Sequence, residues 1–177
     1  MAPNEVVLLS SPDEDLLSSL TTALRDRWPV RTATTSQETE TSLDDTVAVV
    51  ILDAMLSLSS ADLAAMIDEE SSHAQILRFG GSDDPVTGIV DAAIPRNVDE
   101  DTVRVTVERL QTRARYDRLL SQFYSLARSR GELAEETATS ETKLDGSTRD
   151  LDELKRELDE VATRLDDEDA FDVALEE

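Results

Sequence analysis

Val47-Ala48-Val49-Val50-Ile51-Leu52-Asp53 is the stretch whose reading decides the fold. Its first six residues are apolar without alternation and rich in β-branched side chains. A strand of that kind suits burial on both faces, as in a parallel sheet covered by helices on each side. Asp53 ends the run. In open parallel sheets, chemistry is placed at the carboxyl ends of the strands, so this carboxylate is the first candidate functional group.

The segments on either side extend the pattern. Val6-Val7-Leu8-Leu9 is a shorter apolar run ended by Ser10-Ser11-Pro12. Leu16, Leu17, Leu20, Ala23 and Leu24 then recur at helical spacing, and Pro29 limits that helix. Val30-Arg31-Thr32-Ala33 reads as a weaker, edge-like strand. The polar, Thr-rich stretch up to Asp45 has little periodicity to define a helix. Beyond Asp53, the residues Leu63, Ala64, Met66 and Ile67 predict a helix, and Gln75-Ile76-Leu77-Arg78-Phe79 a fourth strand closed by Gly80-Gly81. Ala92-Ala93-Ile94-Pro95 supplies a short fifth strand. This alternation predicts an α/β fold: a doubly wound, parallel five-stranded sheet with helices on both faces.

From about Asp99 the pattern becomes one long helix without proline. Val103, Val107, Leu110 and Ala114 form one narrow face, and Tyr116, Leu119, Leu120, Phe123 and Ala127 form a second stripe on nearly the opposite side. The first half can cover the sheet, while the second must pack on something else. Residues 131–146 are polar and rich in small side chains, which predicts a loop or a frayed connection. Leu144, Leu151, Leu158 and Leu165 then repeat every seven residues, with Leu154 and Val161 between them. Ser147-Thr148-Arg149-Asp150 offers a helix start. So narrow a seam needs a partner: the preceding helix folded back as a hairpin, or a second copy in a coiled coil.

Composition bounds the function. Of 177 residues, 40 are acidic and 17 basic, a net charge of −23. Only Lys143 and Lys155 are lysines. Acid-rich, lysine-poor chains suit an extreme-salt cytosol, where screening removes their self-repulsion; an acidic protein of ordinary salt is the alternative. The apolar content of 39% argues against general disorder. There are no cysteines, which removes thiol and disulfide chemistry. No apolar run approaches the ~18 residues of a membrane span, and a cytoplasmic protein is expected. The charge also disfavours nucleic acid.

With its run placed third in the sheet, Ile51-Leu52-Asp53-Ala54-Met55-Leu56-Ser57 resembles the phosphoacceptor strand end of the receiver domains of two-component signalling. The resemblance implies a flavodoxin-like fold in which the aspartate takes a phosphoryl group from a histidine kinase. It also implies Mg²⁺ held by that aspartate and an acidic pair after the first strand, a Thr or Ser after the fourth strand, and a Lys after the fifth. This sequence departs from each supporting position. Ser10 and Ser11 stand where the acidic pair belongs, Gly80 replaces the hydroxyl residue (Ser82 is nearby), and Arg96-Asn97 replaces Lys-Pro. Serine hydroxyls are poor Mg²⁺ ligands beside carboxylates, and arginine keeps lysine's charge but not its compact shape. The resemblance therefore implies a degenerate receiver. In it Asp53 would hold Mg²⁺ weakly at most, with Asp13 or Glu14 swinging in. An active phosphorelay receiver that uses Mg²⁺ and Asp53 is the alternative.

Tyr116-Asp117-Arg118-Leu119-Leu120-Ser121-Gln122-Phe123-Tyr124-Ser125-Leu126-Ala127 is similar to the start of the HalX domain, a module that follows receivers in haloarchaeal regulators. The implied organisation is a receiver-like domain over 1–112, a HalX-type helical domain over 113–170 and an acidic tail over 171–177. The implied role is regulation through protein partners, among them a histidine kinase or another regulator, and not enzyme catalysis. Interaction candidates are Arg113, Arg115 and Arg118 in the arginine-rich long helix, and Leu151, Leu154, Leu158 and Val161 in the heptads. Those arginines leave a DNA-contacting regulator as a further alternative. His73, the only histidine, reads as a solvated loop residue, and Trp28 as an anchor for a helix end.

Overall fold

A computed structural model of the chain describes residues 5–70, 73–80, 90–136 and 141–173. In chain order the elements are β1 (Val6–Ser10), α1 (Glu14–Leu24), β2 (Val30–Ala33), α2 (Ser36–Ser42), β3 (Val47–Asp53), α3 (Ser60–Glu69), β4 (Gln75–Phe79), β5 (Ala92–Ile94), α4 (Glu100–Glu136) and α5 (Glu141–Val173). Every strand pairing is parallel, and the sheet order is β2-β1-β3-β4-β5. The expected five-stranded parallel sheet is therefore present, with β3 at its centre. The chain divides into two compact units, Met1–Ala114 and Arg115–Glu177.

The first unit has a core on each side of the sheet. Val7, Leu9, Val49, Ile51, Leu77 and Phe79 face Leu17, Leu20 and Leu24 of α1 and Val103, Val107 and Leu110 of α4. Val6, Leu8, Val50, Leu52 and Ile76 face the opposite way, onto Leu63 and Ile67 of α3 and onto Leu43. Strict alternation would put Val47 with Val49, yet Val47 belongs to the second group. The β1–β3 register shifts here, Val6 pairing with Val47 and Val7 with Val49. The extra residue, Ala48, is a β-bulge that turns the strand by one face.

Local sequence explains the helix ends. Asp13 caps α1, its Oδ1 accepting from the N–H groups of Asp15 (3.1 Å) and Leu16 (3.2 Å). The Thr-rich stretch does form a helix, α2, on the strength of a capping signal rather than a periodic one. Thr35 Oγ1 accepts from Glu38 N at 3.1 Å, and Glu38 Oε2 accepts from Thr34 N at 2.7 Å. Reciprocal bonds of this kind satisfy donors that a helix start leaves orphaned. Trp28 is buried among the core residues below α1, with the Arg27 guanidinium 6.0 Å from its ring centre. No helix among the described residues is long and apolar enough to cross a membrane.

In the second unit, Leu119 of α4 is buried with Leu158 and Val161 of α5, and Tyr116, Leu120, Phe123 and Leu154 pack around them. Leu119 and Leu158 lie equally far from the connection, one before it and one after. That is the arrangement of an antiparallel helix pair. Two expectations are corrected here. The predicted loop over 131–146 is mostly helix, because α4 continues to Glu136 and α5 begins at Glu141; residues 137–140 lie outside the described residues. Ser147 is accordingly not a helix start but an interior position of α5. Extending an existing helix costs little per residue, about 1 kcal/mol even for glycine, whereas a new nucleus is expensive. Helix-favouring residues such as Glu132, Leu133, Ala134, Glu135 and Glu136 carry α4 past Gly131. At the C-terminus, α5 includes 171–173, and 174–177 lie outside the described residues.

Candidate functional site

The carboxyl ends of β1, β3, β4 and β5 converge on one carboxylate. Asp53, the last residue of β3, is only 1% exposed, in line with its position between β1 and β4. An ionised carboxylate in such a place needs partners, because unpaired buried charge is expensive. Three partners surround it. Ser11 Oγ, just past β1, donates to Asp53 Oδ2 at 2.5 Å. The Arg96 guanidinium, two residues past β5, donates to the same oxygen. Met55 N donates to Oδ1 at 3.1 Å from the turn that follows β3.

A wider ring fixes these partners. Ser11 Oγ accepts from Asp13 N at 3.0 Å, which orients its own hydroxyl toward Asp53. Thr39 of α2, fully buried, donates from Oγ1 to Thr35 O at 2.9 Å and lies within hydrogen-bond distance of Ser10 Oγ at 3.1 Å. Arg96 also approaches Asp13 Oδ2, at 3.8 Å, and so lies between the two carboxylates. Burial pushes the Asp53 pKa up, but the hydrogen bonds from Arg96, Ser11 and the Met55 N–H, with the Arg96 charge, outweigh burial and hold it below the usual carboxylate value. The same hydrogen bond raises the Arg96 pKa. The pair is charged at any ordinary pH.

Gly80 completes the arrangement. It follows β4 at φ +78°, in the left-handed region that glycine tolerates best, and its N–H donates to Ile94 O at 2.9 Å. The stem of Arg96 passes directly over it.

The structure thus brings together Asp53, Ser11, Gly80 and Arg96, with Ser10 one step behind them. Thr39 and the Met55 N–H are members of the network that sequence reading did not assign, and Asp13, expected there only as a weak metal ligand, enters it as the cap of α1 and a second carboxylate beside Arg96. Asp13 had a visible signal, since an Asp before an apolar-periodic segment is a helix cap. Thr39 had none. Gly81 and Ser82 lie outside the described residues. The remaining candidates sit elsewhere. Arg113 is exposed on α4 with its guanidinium 3.6 Å from Asp91 Oδ1. Arg115 is exposed, and Arg118 half-buried, farther along that helix. Leu158 and Val161 are buried in the α4–α5 seam, with Leu154 packed against it and Leu151 half-buried.

The fold family implies Mg²⁺ at such a strand end, and the residues present do not fit it. Hydroxyls take the places of the carboxylate pair, and the guanidinium occupies the Asp53 oxygen that a cation would bind. Asp13, the carboxylate on the other side of Arg96, has one oxygen committed to capping α1. Among the described residues no group of three His, Cys, Asp or Glu side chains is placed to hold a metal ion. Hard divalent cations take several oxygen ligands, and one shared carboxylate oxygen does not provide them.

Comparison with known proteins agrees with this geometry at the level of the fold. No family model matches the chain. A Haloferax volcanii protein named "Putative transcriptional regulator" is 32% identical over 131 residues, which is 71% of this chain but 22% of that protein. The chain therefore spans less than a quarter of the curated relative it matches. Among solved structures, the CheY-like receiver domain protein of Methanospirillum hungatei superposes with TM-score 0.57 at 14% identity, covering 64% of this chain and 98% of that one. The receiver domain protein of Clostridium thermocellum gives 0.54 at 20% identity, covering 62% and 96%. Response regulator DrrB of Thermotoga maritima gives 0.51 at 20% identity, covering 59% of this chain and 51% of its own length. With its β2-β1-β3-β4-β5 parallel sheet and an aspartate at the end of the central strand, the first unit has the receiver fold.

Proposed function

We propose that this chain is a response-regulator-like signalling protein that acts through protein–protein contacts, with a receiver-type domain whose phosphoacceptor position is closed by an internal ion pair. One observation carries this reading: the Arg96 guanidinium and the Ser11 hydroxyl both occupy Asp53 Oδ2, while Met55 N holds Oδ1. Phosphoryl transfer to a carboxylate needs a free oxygen in line with the donor and a cation to offset the developing charge. Here the attacking oxygens are already hydrogen-bonded, and the cation is tethered to the protein. The helical second unit, with its HalX-like opening sequence, is the natural surface for partners. Its arginine-bearing α4 and acidic α5 offer both signs of charge.

The test is direct. The chain is incubated with Mg²⁺ and acetyl phosphate at molar salt and its mass is measured. No stable adduct is expected; a stoichiometric phosphate that disappears in Asp53→Asn would instead establish an active receiver. The name of the Haloferax relative supports a second reading, contact with DNA. On that reading Arg113, Arg115 and Arg118 are the side chains to change together to Gln. Duplex binding at fixed salt that survives this change would count against it.

A further inference from the structure

Gly80 and Arg96 are more closely linked than two separate departures from a pattern. A β-carbon placed on Gly80 would lie 2.8 Å from Arg96 Cγ, 3.1 Å from Nε and 3.2 Å from Cδ. Carbon atoms in contact normally sit about 3.5–4.0 Å apart. The closest of these atoms, Cγ, lies at the middle of the stem, and Cδ follows it, so swinging the guanidinium alone does not relieve the contact. The stem itself must leave its path, and that path is what carries the guanidinium to Asp53.

We infer that Gly80 and Arg96 form a two-residue latch: the missing side chain at position 80 is what lets Arg96 reach Asp53, and any β-carbon there releases the carboxylate. This rests on the closed-site reading above and adds to it a positioning residue, Gly80, which makes no contact with Asp53 through a side chain of its own. Arginine at 96 by itself does not close the site. Closure takes both residues, because the strand ends of β4 and β5 are held together by the Gly80 N–H to Ile94 O bond and cannot spread to admit the extra atom.

The test is a double-mutant cycle on the full chain at molar salt, following urea unfolding by circular dichroism, with Gly80→Ala, Arg96→Ala and the double variant. Positive φ strains alanine whether or not Arg96 is present, by about tenfold in the folding equilibrium. The latch adds a further loss that exists only with Arg96, so Gly80→Ala is expected to lower the equilibrium constant about 100-fold in the native background. In the Arg96→Ala background the expected loss is about tenfold. Equal losses in both backgrounds, within about twofold, overturn the latch. Should Gly80→Ala not fold, Gly80→Asn decides, since asparagine enters the left-handed region more readily yet still carries a β-carbon. The cycle is then run with that variant, its loss is again expected to be about tenfold larger in the native background than in the Arg96→Ala background, and equal losses overturn the latch equally. A phosphate adduct on the unaltered chain would overturn the closed site itself, a result read on a different sample from the cycle.

Discussion

The Arg96 guanidinium spans two carboxylates, bonded to Asp53 at the end of β3 and 3.8 Å from Asp13 at the cap of α1. One side chain thereby ties together the ends of β3 and β5 and the start of α1. Asp53 is nearly inaccessible, whereas Arg96 is 37% exposed, so the pair has a buried acid and a solvent-facing base.

That asymmetry sets the effect of breaking the pair. Arg96→Ala leaves a buried carboxylate without its counter-charge, which for a fully buried pair costs about 3–5 kcal/mol. Solvent screening at Arg96 reduces this, and a loss of about 2 kcal/mol is expected by urea unfolding. Asp53→Asn removes the charge that needs a partner and is expected to cost less than Arg96→Ala. The reverse order would show that Asp53 does not depend on Arg96 for its counter-charge.

The pH dependence follows from the same site. The Asp53 pKa is lower in the folded protein than in the unfolded chain, so the stabilisation is present above the ordinary carboxylate value, about 4. It is lost as pH falls through the lower, folded-state value. The stability difference between the native chain and Asp53→Asn should be constant from about pH 6 to 8 and shrink below about pH 4. Parallel profiles down to the acid limit would contradict the assignment.

Thr35 is predicted to matter more than its exposed position suggests. Its hydroxyl and the Glu38 carboxylate together cap the seven-residue helix α2, which has little else in its sequence to sustain it. Thr35→Ala is expected to lower stability by about 1 kcal/mol. Thr35→Ser, which keeps the hydroxyl, should be close to neutral in the same unfolding assay.

In the second unit, Leu158→Ala empties the centre of the Leu119–Leu158–Val161 cluster. A loss of about 2–3 kcal/mol is expected for that unit, at the low end for buried leucine because the seam is narrow. Helical signal at 222 nm should fall at lower urea than in the native chain. Light scattering at molar salt separates the two possible roles of the heptads. Unchanged mass in Leu158→Asp means the seam acts within the chain, and a halved mass means it joins two copies.

Much of the fold was legible because it depends on local signals. The apolar run ending at Asp53, the runs at β1 and β4 and the helical spacing from Leu16 to Leu24 each state their own structure, and the alternation of strands and helices follows from them. Val103, Val107, Leu110 and Ala114 were readable as the face of α4 for the same reason, and all four are buried. Reading failed where periodicity was silent or misleading. The helix α2 rests on the Thr35–Glu38 capping pair, and the polar residues on either side of 137–140 continue helices that neighbouring turns had already nucleated.

The sequence by itself determined that an aspartate ends the central strand and that Ser10, Ser11, Gly80 and Arg96 stand around it in place of the usual residues. The first follows from residue identity and strand period, the second from the resemblance to receiver domains. Only the tertiary structure decided what those replacements do to one another. Arg96 bonds to Asp53, 43 residues away in sequence, across the surface of a glycine. No spacing rule predicts such a contact, because it depends on a parallel sheet bringing four strand ends to one point and on the space left there by a missing β-carbon.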